Sequence, residues 1–239
     1  MIRSASLFGL FVVTGCATAQ IAVAPVEAAR LERSLAGQTR FLRVSMYSTP
    51  FFKDSTRSLL TALPPEEVDL LDNPDGSPVS PGRVERTVAA GTRVRIRQLE
   101  FPSATVMAQR VLFTPRTLAW VYLDVAGAPK DAPPSVLVLR PGLTSAQDVL
   151  AELERYVSTE DPSPLLGTFS EAVRDAIKMK TATAEMSADA LEMAWGYPAQ
   201  KRLELVNAQR KETWKWPRKR WAVLLDGRVT SLSEEADRR

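Results

Sequence analysis

Few residues of this chain are equipped for chemistry. Its 239 residues include no histidine and a single cysteine, Cys16. Without histidine, the commonest general base and the commonest metal ligand are missing. Ser-His-Asp triads, Cys-His pairs and Cys/His zinc sites are therefore excluded. The chain has 28 Asp and Glu residues, but their spacing forms no recognisable catalytic pair. The sequence predicts a protein that is not an enzyme and that has no cofactor and no metal site.

Cys16 follows a segment with the basic, apolar and small-residue parts of a secretory signal. The apolar run is shorter than the roughly 20 residues that a membrane-spanning helix needs. The sequence VTGC resembles the lipobox of bacterial lipoproteins. This resemblance implies that residues 1–15 are a signal peptide and that Cys16 is lipidated and anchors the chain in a membrane. An ordinary signal peptide with a chance cysteine is the alternative.

The surroundings of Cys16 also bear on location. A secreted chain with one cysteine cannot form an internal disulfide, and acylation removes the unpaired thiol. By resemblance to lipoproteins of bacteria with two membranes, Ala17 in place of Asp implies sorting to the outer membrane, on the periplasmic side. The net charge of +3 is small, so nucleic acid is not a predicted partner.

Alternation and turns predict an α+β fold that begins with β-structure. Residues 16–37 are expected to form a tether with a short helix over 26–37, and residues 38–140 a small β-barrel or sandwich. The candidate strands are RFLRVSMY, TRVRIRQLEF, VMAQRVLF, AWVYLDV and SVLVLR, separated by Gly- and Pro-containing turns. The acidic loop DLLDNPDGSP is predicted as a turn and not as a calcium site. The stretch from AAGTRVRIRQLEF to TLAWVYLDV resembles bacterial small-barrel domains of the Src-homology-3 kind.

One candidate strand carries three alternating arginines, Arg93, Arg95 and Arg97. Val94, Ile96 and Gln98 are expected to face the other way. The arginines form either a solvated strand face or a basic patch for phosphate or cell-wall carboxylate.

The pattern becomes helical after residue 140. Residues 141–168 are predicted as a helical connector, with a helix in TSAQDVLAELERYV. Helices in FSEAVRDAIKMK and MSADALEMAWG follow, capped by Ser170 and Ser187. Gly196 ends the second helix and Pro198 prevents its continuation. The segments KRLELV and RKETWKW are then candidate strands, and KRWAVLLDGRVTSL is predicted as a hairpin with its turn at Asp226-Gly227. Two helices would cover the aromatic face of this antiparallel meander.

The order and residues of this C-terminal region resemble a family of outer-membrane lipoproteins known as BamE, SmpA or OmlA. The matching motifs are Met186-Ser187, Gly196 with Pro198, Trp214 with Trp216, and Asp226-Gly227 with Val229. The resemblance implies an ααβββ module over residues 169–239. It also implies a role in the β-barrel assembly machine. About 150 residues precede the module, whereas the proteins of that family are short.

The module is strongly basic between residues 201 and 220, where eight basic residues oppose two glutamates. A surface of this kind suits an acidic protein partner or anionic lipid. The alternative is a solvated sheet face over a buried tryptophan cluster. The candidate surface consists of Lys201, Arg202, Arg210, Lys211, Trp214, Lys215, Trp216, Arg218, Lys219 and Arg220.

These patterns favour a non-catalytic bacterial envelope lipoprotein that is a structural or accessory component of an outer-membrane complex, such as the β-barrel assembly machinery. The alternative is a lipoprotein that binds cell wall or anionic lipid. An open groove lined by Trp120 and Tyr122 would favour this alternative. A hydrolase using carboxylates alone would require a deep cleft with two buried carboxylates about 5–10 Å apart.

Overall fold

The computed structural model describes residues 21–206, 208–217 and 220–233. The predicted signal peptide and Cys16 lie outside these residues. Six helices are present in them: α1 Pro25–Leu35, α2 Ala104–Gln109, α3 Ala146–Glu154, α4 Ser163–Gly167, α5 Glu171–Met179 and α6 Ala188–Trp195.

The strands form two sheets, and the fold is mixed α+β. The larger sheet contains β1 Thr39–Leu42, β2 Met46–Phe51, β3 Asp54–Thr61, β4 Arg86–Val88, β5 Arg93–Glu100, β6 Trp120–Val125, β7 Ser135–Val138 and β8 Val157–Ser158. The smaller sheet contains β9 Gln200–Val206, β10 Gln209–Lys215, β11 Trp221–Leu225 and β12 Arg228–Ser233.

The predicted barrel or sandwich is replaced by one mixed sheet of eight strands in the order β4-β2-β3-β7-β6-β5-β1-β8. Strands β3 and β7 pair in parallel, through Ser58–Ser135 and Leu59–Val136, whereas the other pairs are antiparallel. This long-range pairing leaves no local mark in the sequence. Strand β8, from the predicted connector, extends the edge beside β1.

The central strands of this sheet are buried on both faces. Leu60 and Leu137 pack into a core with α1 and α3, whereas their neighbours Leu59 and Val136 pack into a second core around Trp120. Because each strand alternates its side chains between the two faces, consecutive apolar residues serve both cores.

Two local predictions in this region were wrong. A β-bulge between Ile96 and Gln98 turns Arg97 and Gln98 outward together, so that Leu99 is buried in place of Gln98. The segment VMAQRVLF is not a strand. It forms most of α2 and an exposed loop that ends at Phe113.

The C-terminal region has the predicted order of two helices and an antiparallel meander, but with four strands, one more than the ααβββ order. The serine caps of α5 and α6 are confirmed. Gly196 ends α6 with φ of 84°, and a Cβ there would lie 3.1 Å from the Cβ of Ala62. Both the backbone angle and this close approach to β3's end require glycine.

Ser45 and Lys180 join the large sheet to the helices of the C-terminal region. The N–H of Ser45, between β1 and β2, donates to the carbonyl of Met193 at 2.7 Å, and its hydroxyl donates to Ile177 at 2.7 Å. The Lys180 ammonium donates to the carbonyls of Ser45 at 2.6 Å and of Ala194 at 2.9 Å. The carbonyls of Met193 and Ala194 lie in the last turn of α6, where intrahelical donors are lacking. The carbonyl of Ile177, in the last turn of α5, also accepts the N–H of Lys180 at 3.1 Å.

A buried ion pair forms a second link between the two regions. Arg220, which precedes β11, contacts Glu67 of the large-sheet region at 2.9 Å, and the two side chains are 4% and 8% exposed. Such a pair is costly to break because one charge stays buried without its partner.

The Arg220→Met variant should therefore lose about 3–5 kcal/mol of unfolding free energy. Lys178→Met removes an exposed pair with Asp175 and is the matched control, for which the loss should be below about 1 kcal/mol. Urea titration followed by tryptophan fluorescence measures both. Equal stability of the two variants would show that the buried pair does not link the regions.

Candidate functional site

The aromatic residues predicted for the surface of the C-terminal sheet belong to its core. Trp214 and Trp216 share one face, as predicted, but they are 2% and 3% exposed beneath α5 and α6. The indole N–H of Trp216 donates to the carbonyl of Gly196 at 3.0 Å, and that of Trp214 donates to Glu212 at 2.9 Å. Both residues are therefore removed from the candidate surface, because the helices cover the face on which they lie.

Four of the six candidate basic residues that the structure describes have acidic partners. Arg220 is buried against Glu67, so it is not part of the candidate surface. The remaining pairs are Lys201 with Glu192, Arg202 with Glu204 at 2.9 Å, and Arg210 with Glu212 at 3.0 Å. The sequence pattern missed this neutralisation because Glu192 lies on α6 and Glu67 in the other region. Arg218 and Lys219 lie outside the described residues.

Lys211 and Lys215 form no ion pair with any described residue. Their register with Leu225 and Trp221 places them on the outer face of the C-terminal sheet, away from the helices. Trp221 is 37% exposed there, and Val223 and Leu225 are partly buried on the same face. This outer face combines an exposed indole with two free ammonium groups, and no described element covers it.

Strand β9 is the edge of this sheet and is exposed along almost its whole length. Leu203 and Leu205 are 59% and 80% exposed. They lie opposite Glu212 and Arg210, on the helix-facing side of the sheet, but beyond the reach of the helices. Strand β9 therefore offers an apolar pair beside a backbone edge that has no partner among the described strands. The segment KRLELV was predicted as a strand, but its alternation alone does not tell whether its leucines are buried or exposed.

The arginines of β5 all point outward. Arg93 and Arg95 form no ion pair with a described residue, and Arg97 lies 3.6 Å from Asp124 across an exposed pair. Shallow grooves along this face are lined by Arg93, Arg95 and Arg97 together with Asp124. An open groove lined by Trp120 and Tyr122, which would have favoured the cell-wall alternative, is not formed, because Trp120 is 1% exposed.

A cleft of about 320 Å³ lies where the large sheet meets the C-terminal region. Its walls are mainly apolar and include Leu63, Leu137 and Trp195. Glu67 and Asp69 line it, but Glu67 is paired with Arg220 and Asp69 is exposed. The cleft thus lacks the two buried carboxylates that acid-base hydrolysis requires.

The acidic and phenolic groups near this cleft have structural partners. Glu152 is buried, contacts Arg140 at 2.9 Å and accepts a hydrogen bond from the Tyr156 hydroxyl at 3.1 Å. Burial raises the pKa of the Tyr156 phenol well above its ordinary value, and the neighbouring Glu152 raises it further. Tyr156 therefore stays protonated at physiological pH and does not serve as a base.

No group of three metal-binding side chains occurs in the part of the chain that the structure describes, and no described helix is long and apolar enough to cross a membrane. Comparison of the chain with models of protein families, with curated proteins and with solved structures gave no match.

The core position of Trp214 can be tested against the surface position of Trp221. Trp214→Ala should lower the unfolding free energy by about 3–5 kcal/mol, because it opens a cavity under α6. Trp221→Ala should change it by about 0.5 kcal/mol, as surface substitutions do. Thermal unfolding followed by circular dichroism measures both. Similar losses in the two variants would contradict the assignment of Trp221 to an open face.

Proposed function

We propose that this chain is a non-catalytic, lipid-anchored protein of the bacterial envelope that binds a protein partner through its C-terminal sheet. It would serve as a structural or accessory component of an outer-membrane complex such as the β-barrel assembly machinery. The observation that carries this proposal is the outer edge of β9, which pairs with no further described strand and has Leu203 and Leu205 exposed beside it.

The predicted anchor supports a location at the membrane. Ile21 is only five residues beyond Cys16, a distance of at most about 18 Å for a fully extended chain. Ile21 is buried in the main core, and the N–H of Ala22 donates to the carbonyl of Leu143 at 3.0 Å. An acylated Cys16 would therefore hold the folded region close to the membrane surface.

The exposed groups of β9 specify the chemistry of the partner. An added strand would pair with the free backbone edge and place apolar side chains against Leu203 and Leu205. Lys211 and Lys215 lie on the other face, one strand inward from that edge, and their charge would favour acidic side chains in the partner. An exposed edge with apolar side chains invites strand pairing unless a partner covers it.

The residue chemistry supports a binding role over catalysis. Histidine is lacking throughout the sequence, and the only cysteine is the predicted acylation site. Within the described residues, four acidic side chains are buried and each is paired with arginine: Asp54, Glu67, Glu152 and Glu212. Such carboxylates stabilise the fold and are poorly placed to move protons for a substrate.

The outward arginines of β5 favour a second candidate function, the binding of cell wall. Arg93 and Arg95 lie two residues apart on one strand face, a separation of about 7 Å. Guanidinium groups bind carboxylates in a bidentate manner. The anionic-lipid alternative receives less support, because three of the described basic residues on the C-terminal surface already pair with glutamate and a fourth is buried.

Site-specific photo-crosslinking tests the partner surface. A benzophenone side chain at Leu205 of the full-length chain should crosslink in living cells to an envelope protein, through an extended, acidic segment of that protein. The same group at Met179, which is 69% exposed on α5, should not. Recovery of barrel-assembly components at position 205 would support the specific role. Equal crosslinking at both positions would contradict the proposal.

A substitution tests the same surface by affinity. The Leu203→Lys/Leu205→Lys variant should weaken partner binding tenfold or more, because it removes the burial of two leucines. Met179→Lys adds a charge at a comparably exposed position and should leave binding unchanged. The affinity is measured by titrating the purified full-length protein against the partner that the crosslinking experiment identifies. Unchanged affinity in the double variant would exclude β9 as the interface.

The second candidate has its own test. Arg93→Gln/Arg95→Gln should abolish sedimentation of the protein with purified peptidoglycan, whereas Lys211→Gln/Lys215→Gln, with the same loss of charge, should leave it intact. Arg93→Lys/Arg95→Lys should give an intermediate result, since lysine keeps the charge and loses the bidentate fork. Equal losses in the two glutamine variants, with full binding in the lysine variant, would show non-specific charge attraction.

A further inference from the structure

Three consecutive large apolar residues project into solvent between β5 and β6. Val111, Leu112 and Phe113 are 42%, 61% and 53% exposed. They follow α2, which itself buries no residue. Exposed apolar residues that occur singly are normal, whereas a contiguous exposed patch marks a contact site. We call Val111, Leu112 and Phe113 the apolar loop.

The apolar loop is held in its projecting position by Arg110 at its base. The Arg110 side chain is 4% exposed, contacts Glu100 at 2.6 Å and stacks over the ring of Trp120 at 3.7 Å. It also donates to the carbonyls of Arg116 and Leu118, at 2.8 and 2.7 Å. This arginine ties both ends of the connection to the start of β6.

The apolar loop ends in a turn whose backbone conformation is unfavourable for Phe113. Phe113 has φ of 60°, a region that a bulky residue rarely adopts. The Thr114 hydroxyl donates to the carbonyl of Val111 at 2.7 Å and fixes this turn. Strained backbone conformations of this kind cluster at binding sites, and here the strain accompanies an exposed aromatic ring.

The apolar loop lies at the end of the large sheet where the described chain begins. Trp120, at the start of β6, pairs with both Glu100, at the end of β5, and Val138, at the end of β7. The β5–β6 connection and the segment after β7 therefore leave the sheet at the same end. Ala22 bonds to Leu143 in that segment. Val26, four residues after Ala22, is 82% exposed.

We propose that the apolar loop inserts into the bilayer that holds Cys16, and thus forms a second membrane contact. This inference rests on the proposed lipid anchor. Ile21, five residues beyond Cys16, lies within about 18 Å of the acylated residue, and Ala22 bonds to the segment that leaves the sheet at the same end as the apolar loop. Apolar side chains that enter the interface add to the affinity of an acyl anchor. The contact would also fix the orientation of the large sheet on the membrane, since the anchor alone leaves the chain free to rotate.

Site-directed fluorescence tests the insertion. Acylation occupies the native cysteine, so Leu112→Cys can be labelled with the polarity-sensitive fluorophore nitrobenzoxadiazole in the full-length, lipidated protein. The protein is reconstituted into vesicles of phosphatidylethanolamine and phosphatidylglycerol. Its emission should shift to the blue, and doxyl-labelled lipid should quench it. Met179→Cys, labelled in the same way, should keep the emission seen in water and be quenched by iodide.

Three readouts separate the possible failures. Loss of the blue shift while the protein still floats with the vesicles would overturn the insertion and leave the proposed anchor intact. A blue shift that appears only in native envelopes, and not in protein-free vesicles, would overturn the insertion in favour of a protein contact. Intact-mass analysis that shows no acyl groups on Cys16 would refute the anchor, and with it the premise of this inference, independently of the fluorescence.

Discussion

The arrangement of the two sheets depends on the contacts that Ser45 and Lys180 make at their junction. A lysine with 1% exposure occupies the left-handed position after α5, where glycine is usual, with φ of 56°. Its ammonium donates to the carbonyl of Ala194, in the last turn of α6, and to that of Ser45, and a positive charge is favourable at a helix C-terminus. The backbone and hydroxyl of Ser45 satisfy further carbonyls of α5 and α6. The strained backbone and the buried charge are thereby offset.

This junction gives the surfaces of the chain a fixed relation to one another. Gly196 approaches Ala62, and Arg220 reaches Glu67, so the C-terminal sheet cannot turn on the large sheet without losing several buried contacts. If the proposals hold, the anchor and the apolar loop lie at one end of the large sheet, and the edge of β9 belongs to the C-terminal sheet. A rigid junction lets a membrane-held protein present that edge in a defined direction.

Local patterns predicted much of the fold. The caps at Ser170 and Ser187, the stop at Gly196 and the meander that follows depend on neighbours in the sequence and were predicted. The parallel pairing of β3 with β7 depends on residues about 77 positions apart, and the bulge after Ile96 on a partner strand. The apolar run that ends at Phe113 was predicted as a strand, because hydrophobicity alone does not show whether apolar side chains are buried or exposed to solvent.

The candidate surface was predicted less well than the fold. Trp214 and Trp216 lie on one face as their spacing required, but only the packing of α5 and α6 shows that this face is covered. Opposing charges on distant elements likewise cannot be read from a basic segment. Leu203 and Leu205 emerged as the main candidates because the helices end before they reach β9.

Hydrogen–deuterium exchange of the β9 amides tests the central claim most directly. The full-length protein is compared in purified form and in native membranes, with the amides of residues 201–206 followed by mass spectrometry. Strand addition by a partner predicts fast exchange in the purified protein and strong protection in the membranes, with β11 unchanged. Equally fast exchange of β9 in both preparations would contradict a function built on that edge.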